Sequence, residues 1–117
     1  MSTIKVDTIK NTSNVEVFTC KAWVNFDGTQ AAASMIRASG NVSSIVDNGT
    51  GDYTVNFTTA MPDVNYSSLF TNGMLNTNWW GPETKIYDQL TGSVRIRSVQ
   101  NTGTFTDPNS CNVAVFR

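Results

Sequence analysis

Residues 43–62 read SSIVDNGTGDYTVNFTTAMP, and how the chain is read turns on the six positions at their centre, Asp47-Asn48-Gly49-Thr50-Gly51-Asp52. Phosphate cradles need glycines at set spacings between a strand and a helix, and helix-loop-helix calcium loops need alternating Asp/Asn followed by a distant Glu. Neither pattern is present. The next residues alternate strictly: Tyr53, Val55 and Phe57 share one face, and Thr54, Asn56 and Thr58 the other, which is the period of a half-buried strand. Asn48-Gly49 tolerates positive φ, so the stretch predicts a β-hairpin with a slightly long connection. A plain turn is preferred to a cation site, because two carboxylates leave most of the ~6–8 oxygen ligands of calcium unsupplied.

Outward from the hairpin, the composition points the same way. Ser, Thr and Asn make up 40 of the 117 residues, while long helix formers are scarce, a balance that favours strands and turns. The expected fold is all-β, a single β-sandwich of about 7–8 short antiparallel strands with an extended N-terminal arm. Its predicted strands include the stretch TCKAWVNFDGT, closed by Asp27-Gly28, and DVNYSSLF, with Val64, Tyr66 and Phe70 alternating. A closing strand pair is expected from Ser93 to Gln100 and from Asn112 to Phe116. Residues 31–37 have helical propensity, but an extended run is preferred, since one helical turn among strands has little face to pack. Residues 71–85 read as the least regular segment.

Two units are expected: an arm over 1–18 and a sandwich head over 19–117. The arm alternates at Ile4, Val6 and Thr8, then breaks at Asn11-Thr12-Ser13-Asn14. A lone strand cannot satisfy its own backbone, so the arm is expected to pair with another chain, another copy or the edge of the head.

The chemical inventory excludes more than it offers. The chain has no histidine, which removes the commonest general base and metal ligand. Of the nine acidic residues, Asp27, Asp47, Asp52, Asp63 and Asp107 stand beside Gly, Asn or Pro, where Asp favours turns. They read as solvated loop charges, and so does the pair Asp88 and Glu83. No catalytic residue, metal ligand or cofactor site is assigned, and the chain is not expected to be an enzyme. Eight basic against nine acidic residues, with no cluster beyond Arg95 and Arg97, lack the footprint of a nucleic-acid binder. No apolar run reaches the ~20 residues of a membrane span, and the N-terminus lacks the apolar core of a signal peptide. A soluble protein made in a cytoplasm, with no membrane insertion, is expected. Five Asn-X-Ser/Thr matches, at Asn11, Asn41, Asn48, Asn56 and Asn65, carry no weight in that setting. Cys20 and Cys111 each fall on the apolar face of an alternating segment and read as buried free thiols, with a disulfide open if their strands are neighbours.

Three blocks, STIKVDTIKNTS, CKAWVNFDGT and IRASGNVSSIVDNGTGDYTVNFTTAMPDVNY, together about half the chain, resemble small β domains of bacteriophage tail-fibre-like virion structural proteins from phages of cyanobacteria and marine bacteria. The resemblance implies a virion structural role, as a homotrimer, with a projecting β domain that contacts the host surface or decorates the capsid. Residues 1–18 would then attach to other phage tail or capsid proteins, and a host surface glycan would be the external partner. A free carbohydrate-binding module is the alternative. In either case the adjacent Trp79 and Trp80 are the candidate receptor-binding residues, able to stack on sugar rings, with Asn76, Asn78 and Tyr87 adding polar contacts.

Overall fold

A computed structural model describes residues 2–74 and 83–117 of the chain. Among the described residues eight strands run β1 Cys20–Phe26, β2 Ile36–Gly40, β3 Val42–Gly49, β4 Asp52–Phe57, β5 Ser67–Gly73, β6 Glu83–Leu90, β7 Ser93–Val99 and β8 Ser110–Phe116. They form two four-stranded sheets, β2-β1-β8-β5 and β3-β4-β7-β6, in which every pairing is antiparallel. The all-β sandwich is the fold. No helix among the described residues is long and apolar enough to cross a membrane.

The alternation read from the sequence builds the core. Ala22, Val24 and Phe26 of β1 and Val113 and Val115 of β8 point inward from one sheet, against Tyr53, Val55 and Phe57 of β4 and Val94 and Ile96 of β7 from the other. Interdigitation of two inner faces is how two packed sheets share one core. Phe26 meets Tyr53 edge to face, with ring centroids 5.2 Å apart, and Phe57 meets Tyr66 at 5.9 Å. Edge-to-face pairs contribute about 0.5–1.5 kcal/mol beyond area burial.

The central hairpin is present as β3 and β4. Positive φ falls on Gly49 and Gly51, not on Asn48. Gly51 is buried under the turn that follows β7: its N–H donates to Asp107 Oδ1 at 2.7 Å, and its carbonyl accepts from the N–H of Ser98 at 2.8 Å. Asp47 accepts from the N–H of Gly49 at 3.0 Å, as a turn aspartate does.

Several expectations are corrected. Cys20 is exposed, whereas Cys111 is buried, and both thiols are free. The cause is a register shift between Cys20 and Ala22, with Lys21 as the extra residue, so that Cys20 pairs with the outward-facing Phe116. A bulge of one residue reverses the face of everything beyond it. The segment at 31–37 is not wholly extended: Ala32–Ser34 form one 3₁₀ turn that buries Met35 before β2 begins. Val64 is exposed, and of its predicted set Tyr66 and Phe70 reach the core. The last two predicted strands exist but are not partners, since β7 lies between β4 and β6 and β8 between β1 and β5. The irregular reading of 71–85 overlooked β6, whose residues are almost all exposed, as on a sheet edge.

In the predicted arm, residues 2–18 are exposed throughout. Residues 9–17 fold back on themselves: Lys10 bridges Glu16, the N–H of Val17 donates to the carbonyl of Ile9 at 2.6 Å, and Asn11 Oδ1 accepts from the N–H groups of Ser13 and Val15. The polar hinge is a closed turn with Asn14 in left-handed conformation.

Candidate functional site

Of the five residues singled out from the sequence, Trp79, Trp80, Asn76 and Asn78 lie outside the described residues. Tyr87 lies on the outer face of the second sheet, where it joins a cluster that sequence reasoning missed.

The cluster follows from register. Strand β7 points Val94 and Ile96 into the core, so Arg95 and Arg97 project from the outer face. On β4, Asp52 stands opposite Arg97; on β6, Lys85 stands opposite Arg97 and Asp88 opposite Arg95. Asp52 is thereby not a solvated turn charge. Its carboxylate accepts from Arg95 Nε and Nη2, both at 2.8 Å, and from Arg97 Nε at 3.0 Å, and the arginine side chains cover it to 9% exposure. The hydrogen bond from Arg95, the largest influence, and that from Arg97 hold its pKa below the usual carboxylate value against the opposing effect of burial. Asn48 Nδ2 donates to Thr54 Oγ1 at 2.8 Å and approaches Asp52 Oδ1 at 3.4 Å, tying the hairpin turn to the cluster.

A second bulge places the aromatic part. The β6–β7 register shifts between Ile86 and Asp88, leaving Tyr87 as the extra residue. Its ring lies over Arg97, whose guanidinium carbon is 3.4 Å from the ring centroid, while that of Arg95 is 5.1 Å away. Phe105, bridged to Val99, brings a second ring within 5.6 Å of Arg97. Stacking of a guanidinium on aromatic faces fixes its plane. Tyr87 and Phe105 remain 55% and 43% exposed, so the face offers two apolar plates beside held arginine donors.

Asp107 is likewise engaged: it accepts from the Tyr53 hydroxyl as well as from Gly51. Burial, and then the Asp107 carboxylate, push the Tyr53 pKa up. Glu83 and Asp88 stay exposed on β6, as expected of solvated charges. Among the described residues, no group of three or more His, Cys, Asp or Glu is placed to hold a metal.

The opposite face of the sandwich carries another aromatic that sequence reasoning passed over. Trp23 lies across Gly40, where a Cβ would collide with its indole Nε1, and heads an outward row with Ala114 and Leu69. Beside it, Asn25 donates to Asn112 at 2.6 Å.

No protein-family model matches the sequence, and no curated protein is significantly similar to it. The fold has a solved counterpart. The sandwich is similar to part of the phiAB6 tailspike, whose crystal structure was determined in complex with three-repeated oligosaccharides of Acinetobacter baumannii surface polysaccharide, with a TM-score of 0.55 and 12% sequence identity. The alignment covers 98% of this chain and 29% of the tailspike. At that identity the likeness establishes a shared β architecture.

Proposed function

We propose that the protein is a bacteriophage attachment module: a virion-associated β-sandwich that binds a carbohydrate on the bacterial surface through the outer face of β4, β7 and β6. The observation that carries this reading is the exposed pair of rings, Tyr87 and Phe105, around the ordered arginines. Sugar sites combine an aromatic plate for the apolar face of a pyranose with fixed polar groups for its hydroxyls. The likeness to a tailspike solved with surface oligosaccharides supports the same reading. Binding without turnover fits the histidine-free composition.

The oligomer belongs to the same proposal. Exposed Ile4, Val6, Val17 and Phe18 of the first eighteen residues are the apolar surface by which the chain would trimerise or seat on other tail or capsid proteins. Capsid decoration and a free carbohydrate-binding module are the readings this competes with. Adsorption of the labelled protein to bacteria and to an array of bacterial surface polysaccharides tests it. Retention of a polysaccharide by the wild type and its loss in Tyr87→Ala is the expected result. Equal retention by both would remove Tyr87 from the site, and a trimer in solution would favour the virion reading over the free module.

A further inference from the structure

Building on the carbohydrate reading, we infer that the Tyr87–Arg97 site takes an acidic sugar, a residue whose carboxylate is gripped by Arg97 while its ring lies on Tyr87 and Phe105. Three observations converge on this. First, the shared carboxylate leaves positive charge over: Asp52 serves two guanidiniums, Arg95 occupying both of its oxygens and Arg97 reaching it through Nε alone. Among the described residues no hydrogen bond uses the two terminal nitrogens of Arg97, although each is a strong donor suited to a carboxylate.

Second, the neighbour of Arg97 on β6 is another cation. Lys85 stands directly opposite it, and like charges in that position destabilise a strand pair. The partner of Lys85 is Glu83, 3.5 Å away, with both side chains more than half exposed, so water screens that pair heavily. Asp88 faces Arg95 rather than Arg97. The rung of Asp52, Arg97 and Lys85 is therefore the electropositive end of the cluster, and an anion there would relieve the repulsion. Third, the ring of Tyr87 at 3.4 Å fixes the guanidinium plane before any ligand arrives. A pre-oriented fork loses little freedom when a carboxylate docks, and Tyr87 and Phe105, both beside Arg97 and both partly exposed, are the rings on which the sugar bearing that carboxylate would rest.

The test uses the full chain and follows the arginine Nε–H and tyrosine ring signals by NMR. The probes are methyl glucuronide and the methyl glycoside of N-acetylneuraminic acid, the methyl esters of both, and neutral methyl glucoside, at millimolar concentration. The two acids are expected to shift the Arg97 and Tyr87 signals, and the esters to bind at least about tenfold more weakly. Added salt and Lys85→Gln should each weaken the acids, and Arg97→Gln should abolish their effect. Arg97→Lys, which keeps the charge but loses the fork, should retain part of it. Esters or methyl glucoside shifting Tyr87 as strongly as the acids would overturn the acidic-sugar inference and leave the carbohydrate reading standing. If none of the probes moves either signal, both fall together.

Discussion

Replacing Asp52 by asparagine keeps the shape of the side chain and removes the charge on which two arginines converge. The wild-type carboxylate accepts three hydrogen bonds from guanidinium nitrogens, at 2.8, 2.8 and 3.0 Å, with its own side chain 9% exposed. Breaking a fully buried ion pair by removing one partner costs about 3–5 kcal/mol. Here the arginine side chains keep 36% and 24% of their exposure, so solvent screens part of the loss, and a cost of about 2–3 kcal/mol is expected for Asp52→Asn. In a domain of this size that corresponds to a fall in melting temperature of roughly 10 °C at neutral pH. The pH dependence supplies a second check. Because the folded pKa of Asp52 is held below the ordinary value of 3.8, chiefly by the hydrogen bond from Arg95, its contribution is complete above that value and is lost as pH falls through the lower folded one. Melting curves of wild type and Asp52→Asn, followed by circular dichroism, should therefore stand apart at pH 7 and converge in strong acid. Coincident curves at pH 7, or a gap that persists unchanged in acid, would refute the assigned role of Asp52.

Other consequences follow from the same packing. Gly51→Ala places a Cβ 2.6 Å from the carbonyls of Ser98 and Thr106 at a residue with φ +65°; it should cost about 2–4 kcal/mol in denaturant titration. Gly49→Ala, which meets open space, should cost about 1 kcal/mol from its φ alone. Native-state alkylation should modify Cys20 at once and leave Cys111, whose thiol is pushed up to about 12 by burial, until the chain unfolds; rapid modification of both would contradict the burial of β8. Removing residues 2–18, all exposed, should change head stability by no more than about 0.5 kcal/mol while reducing the mass in solution to that of a monomer. Loss of the cooperative melt would make those residues part of the head.

The parts of the fold that were legible in the sequence are those that repeat every second residue without interruption. Tyr53, Val55 and Phe57 declare their strand and its buried face, as do Ala22, Val24 and Phe26, because on a half-buried sheet that period reports burial directly. Bulges break the period without leaving a local mark: the extra residue at Lys21 turned Cys20 outward, and the one at Tyr87 concealed that β6 is a strand at all. Periodicity also carries no pairing information, so β7 and β8 looked like partners although they lie in different sheets. The candidate site was legible in one residue, Tyr87. Arg95 and Arg97 were visible as a pair, but Asp52 and Phe105 reach them through the β4–β7 register and the Val99–Phe105 bridge, which no spacing along the chain reveals. Trp23 was hidden by being the outward residue between buried ones.

The central claim is that a bacterial surface carbohydrate is held on the outer face of β4, β7 and β6. Mapping chemical-shift changes over the whole chain, on titration with the polysaccharide best retained on the array, tests it most directly. The expected result is a continuous patch of shifts over Tyr87, Arg95, Arg97 and Phe105, with the opposite face silent. Shifts confined to Trp23, Leu69 and Ala114 would place recognition on the other sheet and contradict the account.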